Sequence, residues 1–230
     1  MGGGITVAMA LVDCVPVALF LVAAVILQRD LYDRLPKGAY SLVAAGSIMA
    51  FLGGFMKALW KLLYATGVCD YVLLDHALFT LQGPGFLLFF LGLTGLFWKG
   101  EKNAGSHAAL AAGAAPAATT TSIPFIVMQV VGLGGAQVLL AVEGARRGKR
   151  LVPVAFALAF VLMLGMGYLG AKFDDSSSMH WVAQLTNTLS MACFLWGTLM
   201  LHRCDRGTEV LSPLRPPVTQ RKKGDAGTER

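Results

Sequence analysis

Lys57 and Lys61 stand four residues apart on one face of an apolar run from Ala39 to Ala65. A charge at bilayer depth costs roughly 3 to 10 kcal/mol unless it is paired, hydrated or able to reach the interface. Partners are therefore expected. At about 1.5 Å per residue, Lys61 lies about 7 Å and Lys57 about 13 Å below the end of their span near Thr66. Asp75 on the next span falls near the level of Lys61, and Asp13 on the first falls near Lys57. The expected pairs are Asp13–Lys57 and Lys61–Asp75, each neutralising the other's burial. Such a cluster could line a water-accessible outer vestibule that binds an ion, protons or a small polar solute. The plainer alternative is two buried salt bridges that fix helix register. Trp60 and Tyr64, on the same face, suit an interfacial aromatic belt.

Other polar groups in apolar surroundings extend this candidate site. His76 and His180 lie near the outer mouths of their spans, where an imidazole titrating between about pH 5 and 8 can relay protons or simply hydrogen-bond at the interface. Gln82 precedes Gly83, Pro84 and Gly85. Proline removes an internal helical hydrogen bond and the glycines loosen the turn, so this stretch is expected to break or hinge its helix near the midplane. Gln184, Asn187 and Ser190 share one face of the last span and face the same cavity or bond neighbouring helices. A metal site needs three or four converging ligands, and only Asp75, His76 and His180 approach that, so none is expected. There is no phosphate-cradling glycine loop, nucleophile elbow or HExxH, hence no cofactor and no assigned catalytic residue.

These residues need a frame of membrane helices. The 230 residues are 56% hydrophobic and 14% charged, with a mean hydropathy of +0.64. The charges fall in short bursts between apolar runs, which excludes an ordinary soluble domain. A span needs about 20 apolar residues. Clear spans are Ile5–Gln28, Lys37–Thr66, Tyr71–Trp98, Ile123–Ala145, Leu151–Lys172 and His180–Leu201. The first lacks a basic region before it and reads as a retained span. The net charge of +6 is split among short loops and a tail, a topology pattern rather than a nucleic-acid patch. Cys14, Cys69, Cys193 and Cys204 show no CxxC spacing; they read as separate thiols, although Cys14 and Cys69 both fall toward the outer side.

The Ala-rich stretch Ala104–Thr121 is either a loop or a weak span interrupted by Pro116. Charge decides. With seven spans, Arg29, Arg34, Lys37, Lys99, Lys102, Arg146, Arg147, Lys149 and Arg150 share one side, against Lys172 on the other. Six spans remove this bias, so seven are expected, with the N-terminus outside and the C-terminus inside. An internal repeat points the same way. Moving the third span by 104 residues aligns His76 with His180, Phe90 with Phe194 and Thr94 with Thr198, while Gly54-Phe55 answers Gly167-Tyr168. The fold expectation is thus an all-α integral membrane protein with a 3+1+3 parallel repeat over residues 1–202. Residues 203–230, proline-rich and polar, are expected to form a disordered basic cytoplasmic tail.

The functional expectation is a multi-pass protein of a plasma or inner membrane that transports a small polar solute or ion. Its candidate site is Asp13, Lys57, Lys61, Asp75, His76, Gln82, His180, Gln184 and Asn187, with a hinge at Gly83, Pro84 and Gly85. Its partners are the bilayer and that solute, with no nucleic acid. A membrane-embedded sensory or accessory module is the alternative, and an intramembrane enzyme using Asp75 and His76 the third.

Overall fold

The computed structural model describes residues 6–69, 71–97, 123–171 and 177–211. All regular structure among them is helical: α1 Val7–Leu31, α2 Lys37–Ala65, α3 Val72–Thr94, α4 Ile123–Arg146, α5 Leu151–Ala171 and α6 Ser177–Leu211. Five of these helices, α1 to α5, contain stretches long and apolar enough to cross a membrane. This is compatible with a polytopic membrane protein. The sixth, α6, is not in that group, because Gln184, Thr186, Asn187, Thr188 and Ser190 interrupt its apolar run. Its last described residue is Leu211, so the boundary drawn between 202 and 203 falls inside the helix. The weak stretch 104–121 lies outside the described residues.

Local signals set the helix ends. Thr6 caps α1 by accepting a hydrogen bond from the Met9 amide at 3.3 Å. At the end of α2, Gly67 adopts φ 71°. There the Gly67 amide bonds the Tyr64 carbonyl and the Val68 amide bonds the Leu63 carbonyl, each at 3.1 Å. Gly148 repeats this after α4, with φ 72° and bonds from Gly148 to Ala145 and Lys149 to Gly144. Both are left-handed glycine caps that satisfy carbonyls a straight helix would leave open.

The helices close into a ring: each packs on its sequence neighbour, and α6 returns onto α1. Three-helix unit α1–α3 is antiparallel throughout, with Gln28 of α1 bonding Ser47 of α2 at 2.5 Å. Small residues let α2 and α3 approach closely. A Cβ at Gly85 would stand 2.6 Å from the Ala50 nitrogen and 2.9 Å from the Gly46 carbonyl oxygen. Such seams hold membrane helices through dispersion contacts, where lipid offers no hydrophobic driving force. Unit α4–α6 is likewise antiparallel, with Gly144 against Val152 and Ser190 donating to the Ala159 carbonyl at 2.9 Å.

The two units meet through parallel pairs. Along α3 and α4, Gly83 meets Phe125, Gln82 meets Gln129, Gly132 meets Phe86, and Phe97 meets Arg146. Along α6 and α1, Phe194 stacks on Phe20 with centroids 6.2 Å apart, and His202 reaches Asp30. Aromatic side chains occupy the centre. Phe20 packs edge-on against Phe86 at 5.4 Å, and Phe156 edge-on against Phe194 at 5.6 Å.

Contrary to a break at Gly-Pro-Gly, α3 runs unbroken through Pro84. The flanking glycines serve packing on opposite sides: a Cβ at Gly83 would stand 2.8 Å from the Phe125 carbonyl of α4, whereas Gly85 faces α2.

Candidate functional site

The ring has two ends. One carries the α1–α2 and α4–α5 turns and the basic residues around them, and is the basic end. The other carries the α2–α3 turn and the two lysines.

At the lysine end, Lys61 of α2 forms an ion pair with Asp13 of α1, their side chains 20% and 14% exposed. Matching depth predicts Lys57 as the Asp13 partner, and the structure brings Lys61 to it from one turn farther along α2. A lysine stem spans about one helical turn, so the ammonium of the shallower residue reaches back to the deeper carboxylate. Lys57 instead places its Nζ over the Trp60 ring, 4.7 Å from the centroid, a cation–π contact that shields charge in apolar surroundings. Trp60 stacks on Tyr64 at 5.6 Å. The cluster is therefore a continuous charged and aromatic strip along α2, joined to α1 by the ion pair. The side chains of Asp75, His76 and His180 lie outside the described residues, and with them the expected Lys61–Asp75 pair.

Deeper in the bundle, Gln129 of α4 donates to the Gln82 carbonyl oxygen at 3.3 Å. The Gln82 amide lies over Gly54, where a Cβ would stand 3.6 Å from Nε2. Gln82 thus joins α2, α3 and α4. Gln184 is buried at 6% exposure, and Asn187 is half-buried. Both stand on α6, which packs on α5 and α1, whereas Gln82 stands on a helix that packs on α2 and α4. The two polar sets lie on helices that are not adjacent in the ring.

Reading the sequence missed Gln137 on α4, which is 1% exposed. Neither its amide nitrogen nor its oxygen has a hydrogen-bond partner among the described residues, and the same holds for Gln184. An unpaired buried polar group costs about 1–3 kcal/mol. Its only sequence signal is a glutamine in register with Leu133, Ala136 and Leu140 on a buried stripe.

At the basic end, a cavity of about 10 Å³ is lined by Leu27, Asp30, Leu31, Arg34, Leu140, Glu143 and Arg147, with Leu96 and Leu201 beside them. Arg147 donates through Nε and Nη2 to one Glu143 oxygen, at 2.9 and 2.6 Å. His202 Nδ1 lies 2.7 Å from Asp30 Oδ1, a contact between residues far apart in the chain. Arg146 covers the Phe97 ring at 4.6 Å.

Eight of the nine lining residues pair off, Leu31 being the exception. Leu27 and Leu140, Asp30 and Glu143, and Arg34 and Arg147 are each 113 residues apart, and Leu96 and Leu201 are 105 apart. The same offsets relate contacts elsewhere. Gly92 packs on Val43 as Gly197 packs on Phe156, and Gly85 meets Gly46 as Ser190 meets Ala159. The offset of 105 along α3 and α6 that these contacts share differs by one residue from the 104 that matching identities suggest. Under the 113-residue offset, Ala171, the last described residue of α5, corresponds to Ala58 of α2.

Cys14, Cys69 and Cys193 are free thiols. Among the described residues, no group of three or more His, Cys, Asp or Glu side chains is placed to hold a metal ion. No family model matches the chain, and no curated protein or solved structure matches it.

Proposed function

We propose that the chain is a carrier for a small polar solute or ion, built from two alike three-helix units around a shared axis. The observation that carries this reading is the pairing of contacts at fixed offsets, which ends at a small cavity lined by residues of both units. Paired units with a polar site at their interface are a common design for alternating access, in which one unit rocks against the other. Gln137 on α4 and Gln184 on α6 supply buried, unpartnered amides, and Gln82 with Gln129 supplies a third polar group at the α3–α4 seam.

The seven-span topology belongs to the same proposal. The parallel run of α3 and α4 supports it, because α3 ends at the basic end while α4 begins at the opposite one. With the basic turns inside, the N-terminus is outside and the Asp13–Lys61 pair guards the outer end. In this reading Asp13, Lys57 and Lys61, with Asp75, His76 and His180, form the outer entrance. Gln82, Gln184 and Asn187 lie farther along the route, and Gly83, Pro84 and Gly85 adjust the α3 seam as the units move.

The test is uptake of small polar solutes and ions by proteoliposomes containing the full chain. Saturable uptake that falls at least about tenfold in Lys57→Ala supports the proposal. Absence of uptake across amino acids, sugars, organic acids and monovalent ions would sink it. One observation favours a sensory module: Phe20, Phe86, Phe156 and Phe194 fill the centre of the ring. Solute-dependent crosslinking of the C-terminal segment without uptake would select that second reading.

A further inference from the structure

A second recess lies at the basic end, away from the axis. It has a volume of about 470 Å³ and is formed by the α4–α5 turn and the neighbouring part of α6. Lys149, Arg150 and Arg203 line it, no acidic side chain among the described residues does, and Leu151, Val152 and Met200 supply its apolar surface. Its size lies within the range of about 300–1,000 Å³ usual for small-ligand sites. The three cations are exposed, while Val152 is buried and makes a fixed apolar wall.

Position narrows the ligand. The apolar stretch of α4 ends at Arg146, and that of α5 begins at Leu151. The recess therefore sits where apolar span gives way to polar turn, which in a bilayer is the layer of lipid phosphates. The α5 N-terminus adds partial positive charge on the same side. The neighbouring arginines are engaged otherwise, Arg147 with Glu143 and Arg146 with Phe97, so the lining cations form a separate group.

We infer that this recess is a binding site for the phosphate headgroup of an anionic glycerophospholipid, held by Lys149, Arg150 and Arg203 with its first acyl carbons against Leu151 and Met200. Basic pockets between membrane helices bind such headgroups by this combination of charge and apolar contact. The inference rests on the helices being embedded in a membrane and is independent of transport: a chain that moves no solute keeps this site.

The experiment measures lipid retained by the purified full chain, by native mass spectrometry, after equilibration with equal amounts of phosphatidylglycerol and phosphatidylcholine. The expected result is at least a tenfold preference for phosphatidylglycerol, reduced to about even by Lys149→Gln/Arg150→Gln/Arg203→Gln. Each single substitution should lower the preference about two- to threefold, which keeps the test valid if the triple variant unfolds. Arg29→Gln/Lys37→Gln/Lys99→Gln removes as much charge elsewhere and should leave most of the preference intact. Equal loss in that control, or an unchanged preference in the first triple variant, overturns the site. A third arm uses inorganic phosphate in lipid-free detergent. Millimolar phosphate that binds these residues and is not displaced by phosphatidylglycerol would assign the recess to a soluble anion and overturn the lipid.

Discussion

Asp30 of α1 and His202 of α6 meet at 2.7 Å near the basic end of the bundle. The contact ties the first described helix to the last and so closes the ring beside the cavity shared by both units. Truncating either partner should lower stability in detergent by about 1–2 kcal/mol, and a double-mutant cycle with Asp30→Ala and His202→Ala should return a coupling of about 0.5–1.5 kcal/mol. Thermal unfolding of the four proteins measures it. Additive losses would mean that the contact contributes no energy of its own.

Lys61→Ala should destabilise more than Lys57→Ala, because it strands the Asp13 carboxylate in a mostly buried setting. Breaking a buried pair from one side costs about 3–5 kcal/mol, and the partial exposure here brings the expected loss down to about 1–2 kcal/mol. Adding Asp13→Asn to Lys61→Ala should recover much of it. Unfolding midpoints of the three variants decide, and a double variant no better than Lys61→Ala alone would remove the pair from the account.

Gly85→Leu should separate α2 from α3. A single Cβ at that position already stands 2.6 Å from backbone nitrogen, and overpacking typically costs about 1–3 kcal/mol. Gly67→Leu, whose site has nothing within 4 Å but requires a positive φ, should cost about 1 kcal/mol through backbone conformation alone. Comparing the two by thermal unfolding separates close approach from turn geometry.

Gln137→Leu should leave stability unchanged or raise it, because it replaces an unpartnered buried amide with a side chain of similar size. If the amide lies on a solute route, the same substitution should reduce proteoliposome uptake severalfold. Stability and uptake falling together would mean instead that Gln137 is structural.

Single cysteines at Lys37 and Lys149 should be labelled by a membrane-impermeant maleimide from one side of the membrane, and one at Gly67 from the other. Labelling of the two basic turns from opposite sides would exclude the seven-span arrangement.

Much of the frame was legible in the sequence, because an apolar run of span length has few other uses. Helix boundaries agree to within a few residues at Lys37, Ile123 and Leu151, and Gly67 and Gly148 mark the turns they form. Pairings were harder to read. Depth along a helix says nothing about azimuth, so Lys57 was matched to Asp13 although Lys61 reaches it. Asp30 and His202 carry no local signal, since only ring closure brings them together. Matching residue types, such as Phe90 and Phe194, suggests an offset of 104, whereas the contacts of Gly92 on α2 and of Gly197 on α5 share an offset of 105. Gln137 was hidden for the opposite reason: a lone amide in an apolar stripe resembles a lipid-facing or interfacial residue until burial is known.

The ion pair between Lys61 and Asp13 has a further consequence. It joins α1 to α2 at the opposite end of the bundle from the Asp30–His202 contact, so α1 is tethered near both of its ends, to a different neighbour at each. A sliding movement of α1 along its own length would break one tether or the other.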